Sequence, residues 1–204
     1  MPLQNRVLPD GQIVALSARG TMTGNRGILH NPDRTLGTAR WRHKAWICCV
    51  LHWQGRKRQV MTGRNWTELF FLDEAVAIAA GHRPCAYCRR AAYLRYREAW
   101  TDATGSVPSA PDMDDALHRT RVVPRQHRQI THRAPAADLP NGCFALVADR
   151  PHLIRSDHMR AYSPDGYGPK RPRPRTGDMT VMTPAPSIAV LRAGYCPDLH
   201  PSAE

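Results

Sequence analysis

The sequence predicts an α+β fold in which a small N-terminal half of one hairpin and two helices precedes a β-rich C-terminal half. Three observations carry this. Residues 45–61, "AWICCVLHWQGRKRQVM", give two β-favouring runs around a short glycine-containing turn. Residues 73–100 hold two helical patterns parted by "GHRP". Beyond residue 142, the short apolar runs "CFALVA", "HLI" and "MTVMT" are separated by turn residues, as in a small sheet.

In chain order, the glycines and asparagines between Gly20 and Asp33 mark turns around one short strand, Ile28-Leu29. The hairpin follows. Phe70-Phe71-Leu72 then reads as a strand, Asp73 as the N-cap of a short alanine-rich helix, and Gly81 as its left-handed terminator. A longer helix is predicted from about Cys85 to Trp100, with Tyr87, Ala91, Leu94 and Trp100 on its core side and Arg89, Arg90, Arg95 and Arg97 flanking it. Residues 105–117 are rich in Pro, Ser and Asp and read as a linker or surface loop, dividing the chain into halves 1–104 and 118–204. In "GYGPKRPRPR", residues 166–175, recurrent prolines exclude a helix or a central strand, which predicts an exposed basic loop.

A chain of 204 residues accommodates one or two domains. Its apolar runs fall short of the ~20 residues that span a bilayer, and the first residues lack the pattern of a signal peptide. The expectation is a soluble cytoplasmic protein with no membrane partner. Twenty-nine Lys plus Arg stand against 17 acidic residues, a net charge of +12, and arginine dominates. Guanidinium forks match phosphates and base edges, so the partner this composition favours is nucleic acid, DNA first. The candidate contacts are Arg56, Lys57 and Arg58 in the hairpin turn, Arg89, Arg90, Arg95 and Arg97 on the long helix, and Lys170, Arg171, Arg173 and Arg175 in the basic loop.

Six cysteines in a reducing compartment read as metal ligands or redox groups before they read as disulfides. Cys85 follows a proline and Cys88 comes two residues later at a helix start. Two thiolates there converge on one ion while backbone N–H groups stabilise their charge, the arrangement of a zinc knuckle. A thioredoxin-like pair would need a preceding βαβ unit, and here a short helix precedes it. Zinc needs two further ligands.

The stretch "FFLDEAVAIAAGHRPCAYCRR" resembles the zinc-binding domain of the Ada type, found in methylphosphotriester DNA repair proteins and in nuclease-associated modules. The matching residues are Phe70, Phe71, Glu74, Ala75, Ala80, Gly81, Arg83, Pro84, Cys85, Cys88 and Arg89. The resemblance implies a zinc-stabilised N-terminal half and an upstream ligand pair. "GNRGILHNPDR" follows a His-x-Pro-Asp-Cys version of that pair until Arg34 stands in the cysteine position. The missing thiolate then falls to Cys48 or Cys49, which strand alternation places on opposite faces. The favoured set is His30, Cys49, Cys85 and Cys88, a structural Cys3His zinc site, with Cys48 and His52 as the rival ligands. Methyl transfer does not carry over, because this chain does not reproduce the pair that holds the accepting cysteine.

The alternative is a metal-dependent enzyme acting on nucleic acid. A zinc deaminase would pair "PCAYC" with His or Cys two residues before a glutamate. The residues two before Glu68, Glu74, Glu98 and Glu204 are Trp66, Leu72, Tyr96 and Ser202, so a nuclease is the stronger form of this alternative. His118, His127, His132, His152 and His158, with Asp149 or Asp157, are its candidate groups, and no motif spacing joins them.

Overall fold

The computed structural model describes residues 1–55, 59–123, 126 and 128–204. Its α+β fold is built on two sheets. The first contains β1 (Gln4–Val7), β2 (Ile13–Ala15), β3 (Met22–Asn25), β4 (Ile47–Val50), β5 (Leu69–Phe71) and β6 (Arg83–Pro84), in the order β2-β1-β5-β3-β4-β6. The second contains β7 (His132–Pro135), β8 (Phe144–Val147), β9 (Arg150–Ile154), β10 (His158–Ser163), β11 (Gly166–Pro172) and β12 (Asp178–Val181), in the order β11-β10-β9-β8-β12-β7. Four helices accompany them: α1 (Glu74–Ala79), α2 (Arg90–Thr104), α3 (Ala110–Arg121) and α4 (Ala185–Arg192). None is long and apolar enough, among the described residues, to cross a membrane.

The predicted strand at 70–72 and the predicted C-terminal apolar runs correspond to β5, β8, β9 and β12. Asp73 caps α1 as expected, accepting a hydrogen bond from Val76 N at 2.9 Å, and Gly81 turns the chain with φ +84°. The partner of the 47–50 strand differs from expectation. β4 pairs antiparallel with β3, Thr23 opposite Cys49, and parallel with β6, Cys48 opposite Pro84, so the Ile28-Leu29 strand and the 45–61 hairpin are both replaced. β3, "MTGN", is poor in β-favouring residues, and long-range sheet pairing overrides its weak local preference.

Helix α2 begins five residues later than predicted, because Cys85–Cys88 forms a turn. Its buried face is Ala92, Tyr93, Tyr96, Ala99 and Trp100, whereas Tyr87 is 61% and Leu94 43% exposed. The expected 105–117 loop is mostly α3. Ser109 caps it in a reciprocal box with Asp112 and a proline fills its first turn, so helix-start chemistry outweighs a loop-like composition.

The 166–175 segment is also corrected: residues 166–172 form β11, at the edge of the second sheet, where prolines are tolerated because only one side needs ladder donors. Two buried clusters hold the molecule together. One gathers Tyr93, Tyr96, Trp100, Met113 and Leu117 with Ile154, Val181 and Leu191; the other joins Val7, Phe71 and Val76 to Phe144, Leu153 and Tyr167. Both draw residues from each side of 105–117.

Candidate metal centre

Pleating places Cys48 and Cys49 on opposite faces of β4. Cys48 is fully buried and points into the core, where Arg89 Nη1 lies 3.8 Å from its sulfur. Burial, and after it the Glu74 carboxylate, push the Cys48 thiol well up. Cys49 turns the other way. Because β6 runs alongside β4 and Cys85 N donates to Cys48 O at 2.9 Å, the chain leaving β6 brings Cys85 and Cys88 to that same face.

The sulfurs of Cys49, Cys85 and Cys88 all lie within 4.8 Å of one another. Two thiolates of a tetrahedral zinc, each about 2.3 Å from the ion, are separated by about 3.8 Å, so the spacing fits. The electrostatics agree. Hydrogen bonds from Cys49 and then Cys88, reinforced by backbone N–H groups, hold the Cys85 thiol well below its ordinary value, and Tyr87 N approaches its sulfur at 3.4 Å. Its hydrogen bonds to Cys85 and Cys88 push the Cys49 thiol up. Three converging sulfurs form a cluster that a metal ion can occupy by displacing their protons.

The turn carrying Cys85 and Cys88 rests on a buried ion cluster. Arg89 Nη1 and Nη2 donate to Glu74 Oε1 and Oε2 at 2.5 and 2.8 Å, and Nη2 also reaches Asp198 Oδ2 at 2.7 Å. Tyr195 Oη and Asp198 N complete the Glu74 shell at 2.6 and 2.8 Å. Arg89, expected among the phosphate contacts, is buried here instead, and the sequence pattern assigns no role to Tyr195 or Asp198. The available signal was one carboxylate at the start of an otherwise apolar helix, "EAVAIA".

His30 is not in the sulfur cluster. It is buried, with its Nδ1 2.7 Å from Thr67 Oγ1, and its backbone N donates to the same hydroxyl at 3.1 Å, so it anchors its own loop. His52, also outside the sulfur cluster, is exposed three residues past Cys49, and beside it Trp53 packs edge-on against Tyr87 of the knuckle at 5.5 Å. Of the basic candidates, Arg90, Arg95, Lys170, Arg171 and Arg175 are exposed. Arg97 is half-buried and donates to Pro108 O at 3.0 Å. Arg89 is corrected to a buried ion-pair partner, and Arg173 to a buried brace that donates to the carbonyls of Leu139, Arg155 and Ala136. Arg56, Lys57 and Arg58 lie outside the described residues. Compared with protein-family models, curated proteins and solved structures, the chain matches none.

Proposed function

We propose that Cys49, Cys85 and Cys88 bind one structural zinc ion, with His52 as the fourth ligand, and that the protein so stabilised contacts nucleic acid, DNA in preference. The observation that carries this is the convergence of three sulfurs from two chain segments within 4.8 Å. Cys49-x-x-His52 repeats the two-residue spacer of Cys85-x-x-Cys88, and the spacer lets both members of a pair face one tetrahedral ion. His30 lies outside the sulfur cluster. The ion's role is to tie β4 to the start of α2, a closed site that supports the fold. The resemblance to Ada-type modules, from Phe70 to Arg89, belongs to this reading without its methyl transfer.

The nucleic-acid part rests on the net charge of +12 and on the exposed candidates Arg90, Arg95, Lys170, Arg171 and Arg175. Its test is a binding titration with single-stranded and duplex DNA over a salt series. The expected result is a slope of about 0.7 to 0.9 log units in affinity per log unit of salt for each phosphate contact, reduced in Arg90→Gln/Arg95→Gln. Salt-insensitive binding, or none, refutes it.

A further inference from the structure

Against Trp46, just before β4, two arginines are buried and, among the described residues, neither forms an ion pair. Arg26 is 2% exposed and Arg121 is 1% exposed. Both guanidinium carbons lie over the ring of Trp46, at 4.0 and 3.8 Å from its centroid. Their hydrogen bonds go to uncharged groups. Arg26 Nε reaches His82 Nε2 at 3.2 Å and Nη1 reaches Gly11 O at 3.1 Å. Arg121 Nη1 and Nη2 donate to Gly81 O and Lys44 O, each at 2.6 Å. Arg26 Nη2 and Arg121 Nε are buried with no partner. Asp114, the acidic residue of α3 nearest in charge to Arg121, is held by a two-pronged pair with Arg83, both bonds at 2.8 Å.

An uncompensated buried ion is costly, and two side by side repel as well. Burial, and then the charge of Arg121, push Arg26 down to about 9, and burial does the same to Arg121. The stack opens onto a cleft of about 350 Å³, at the small end of ligand sites. Arg40, Arg128, Trp41 and Gln129 line its walls, together with Asp10, whose carboxylate already accepts from Gln12 N at 3.0 Å and Gln12 Nε2 at 2.6 Å. Among the described residues, four arginines thus face one engaged aspartate. Gln129 donates through Nε2 to Ala79 O and Met182 O at 2.5 and 2.7 Å, and its buried Oε1 is left with no donor.

We propose that this cleft binds the phosphoryl group of a nucleotide, with Arg26 Nη2 as its innermost donor and Arg40 and Arg128 closing on it from the rim. A dianion offsets the two buried cations, and guanidinium forks match its oxygens. A bare anion would leave Gln129 Oε1 unsatisfied. A sugar hydroxyl or a base amino group supplies the missing donor. The ligand chemistry is a terminal phosphomonoester, carried by a free mononucleotide or by the end of a strand. The site is separate from the metal centre and does not depend on the exposed arginines of α2 and β11.

The test is calorimetric titration of the metal-replete full chain with inorganic phosphate, a 5′-mononucleotide, and one oligonucleotide prepared with either a 5′-phosphate or a 5′-hydroxyl end, at constant ionic strength. The nucleotide should bind more tightly than inorganic phosphate and raise the melting temperature. Arg40→Gln and Arg128→Gln, on the rim, should each weaken it about tenfold, and Arg128→Gln, at an exposed position, should do so while leaving the unliganded melting temperature in place. Arg26→Met should abolish binding; where that variant does not fold, the rim variants decide. Preference for the 5′-phosphorylated strand assigns the ligand to a strand end, and binding of the mononucleotide alone assigns it to a small molecule. Absence of any phosphoryl-dependent signal, or affinities unchanged in both rim variants, overturns the proposal.

Discussion

Replacing Glu74 by Gln should cost far more than a typical buried substitution. Glu74 and Arg89 have side chains only 1% and 4% exposed, and the carboxylate accepts both prongs of the guanidinium. Glu74→Gln leaves Arg89 buried with Asp198 alone, whose side chain is 61% exposed and therefore a weak, solvent-screened partner. It also weakens the acceptor for Tyr195 Oη and Asp198 N. Breaking a buried pair from one side costs about 3 to 5 kcal/mol. At about 1 to 3 kcal/mol per molar urea, the unfolding midpoint should fall by more than about 1 M at fixed free zinc. Arg89→Met should cost a similar amount. The double variant should lose less than the sum of the two, by about 1 kcal/mol or more, since no lone charge then remains buried. Single costs under about 1 kcal/mol, or additivity within about 0.5 kcal/mol, would refute the pair as a support of the knuckle.

Other consequences follow from side-chain placement. Cys48→Ala should keep the metal and lose about 1 kcal/mol of stability in urea, because Cys48 faces the core; metal loss in it would place the wrong sulfur in the site. In the 170–175 segment, Lys170→Ser, Arg171→Ser and Arg175→Ser should each stay within about 0.5 kcal/mol, whereas Arg173→Ser should lose about 1 to 3 kcal/mol by stranding three carbonyls; equal costs across the four would contradict the buried brace. Burial raises the Asp73 carboxyl, so the folded state holds its proton more tightly than the unfolded one. Its contribution is complete below about pH 3.9 and is lost as pH rises through the folded value, so the stability of wild type relative to Asp73→Asn should decline across that window; a flat or rising difference excludes this.

Much of the fold was legible where local chemistry and tertiary packing agree. Asp73, Gly81 and the apolar runs of β8, β9 and β12 each carry their own signal, and Cys85-x-x-Cys88 declares a ligand pair by spacing alone. What could not be read depends on partners distant in sequence. Alternation separates Cys48 from Cys49 but does not say which face meets the knuckle, and that is set by the β4–β6 pairing. Charge likewise says nothing of burial. Arg89 and Arg173 resemble their exposed neighbours in sequence, and only Glu74, 15 residues from Arg89, and the carbonyls around Arg173 withdraw them from solvent. Helix α3 was legible in its Ser109 cap and first-turn proline, signals that prevail over the loop-like composition of 105–117.

The zinc content of the purified protein tests the central claim most directly. The account predicts about one zinc ion per chain in the wild type and in His30→Ala, and its loss in Cys49→Ser, Cys85→Ser and Cys88→Ser. A metal-free wild-type protein, or stoichiometric zinc retained in Cys49→Ser, would contradict it.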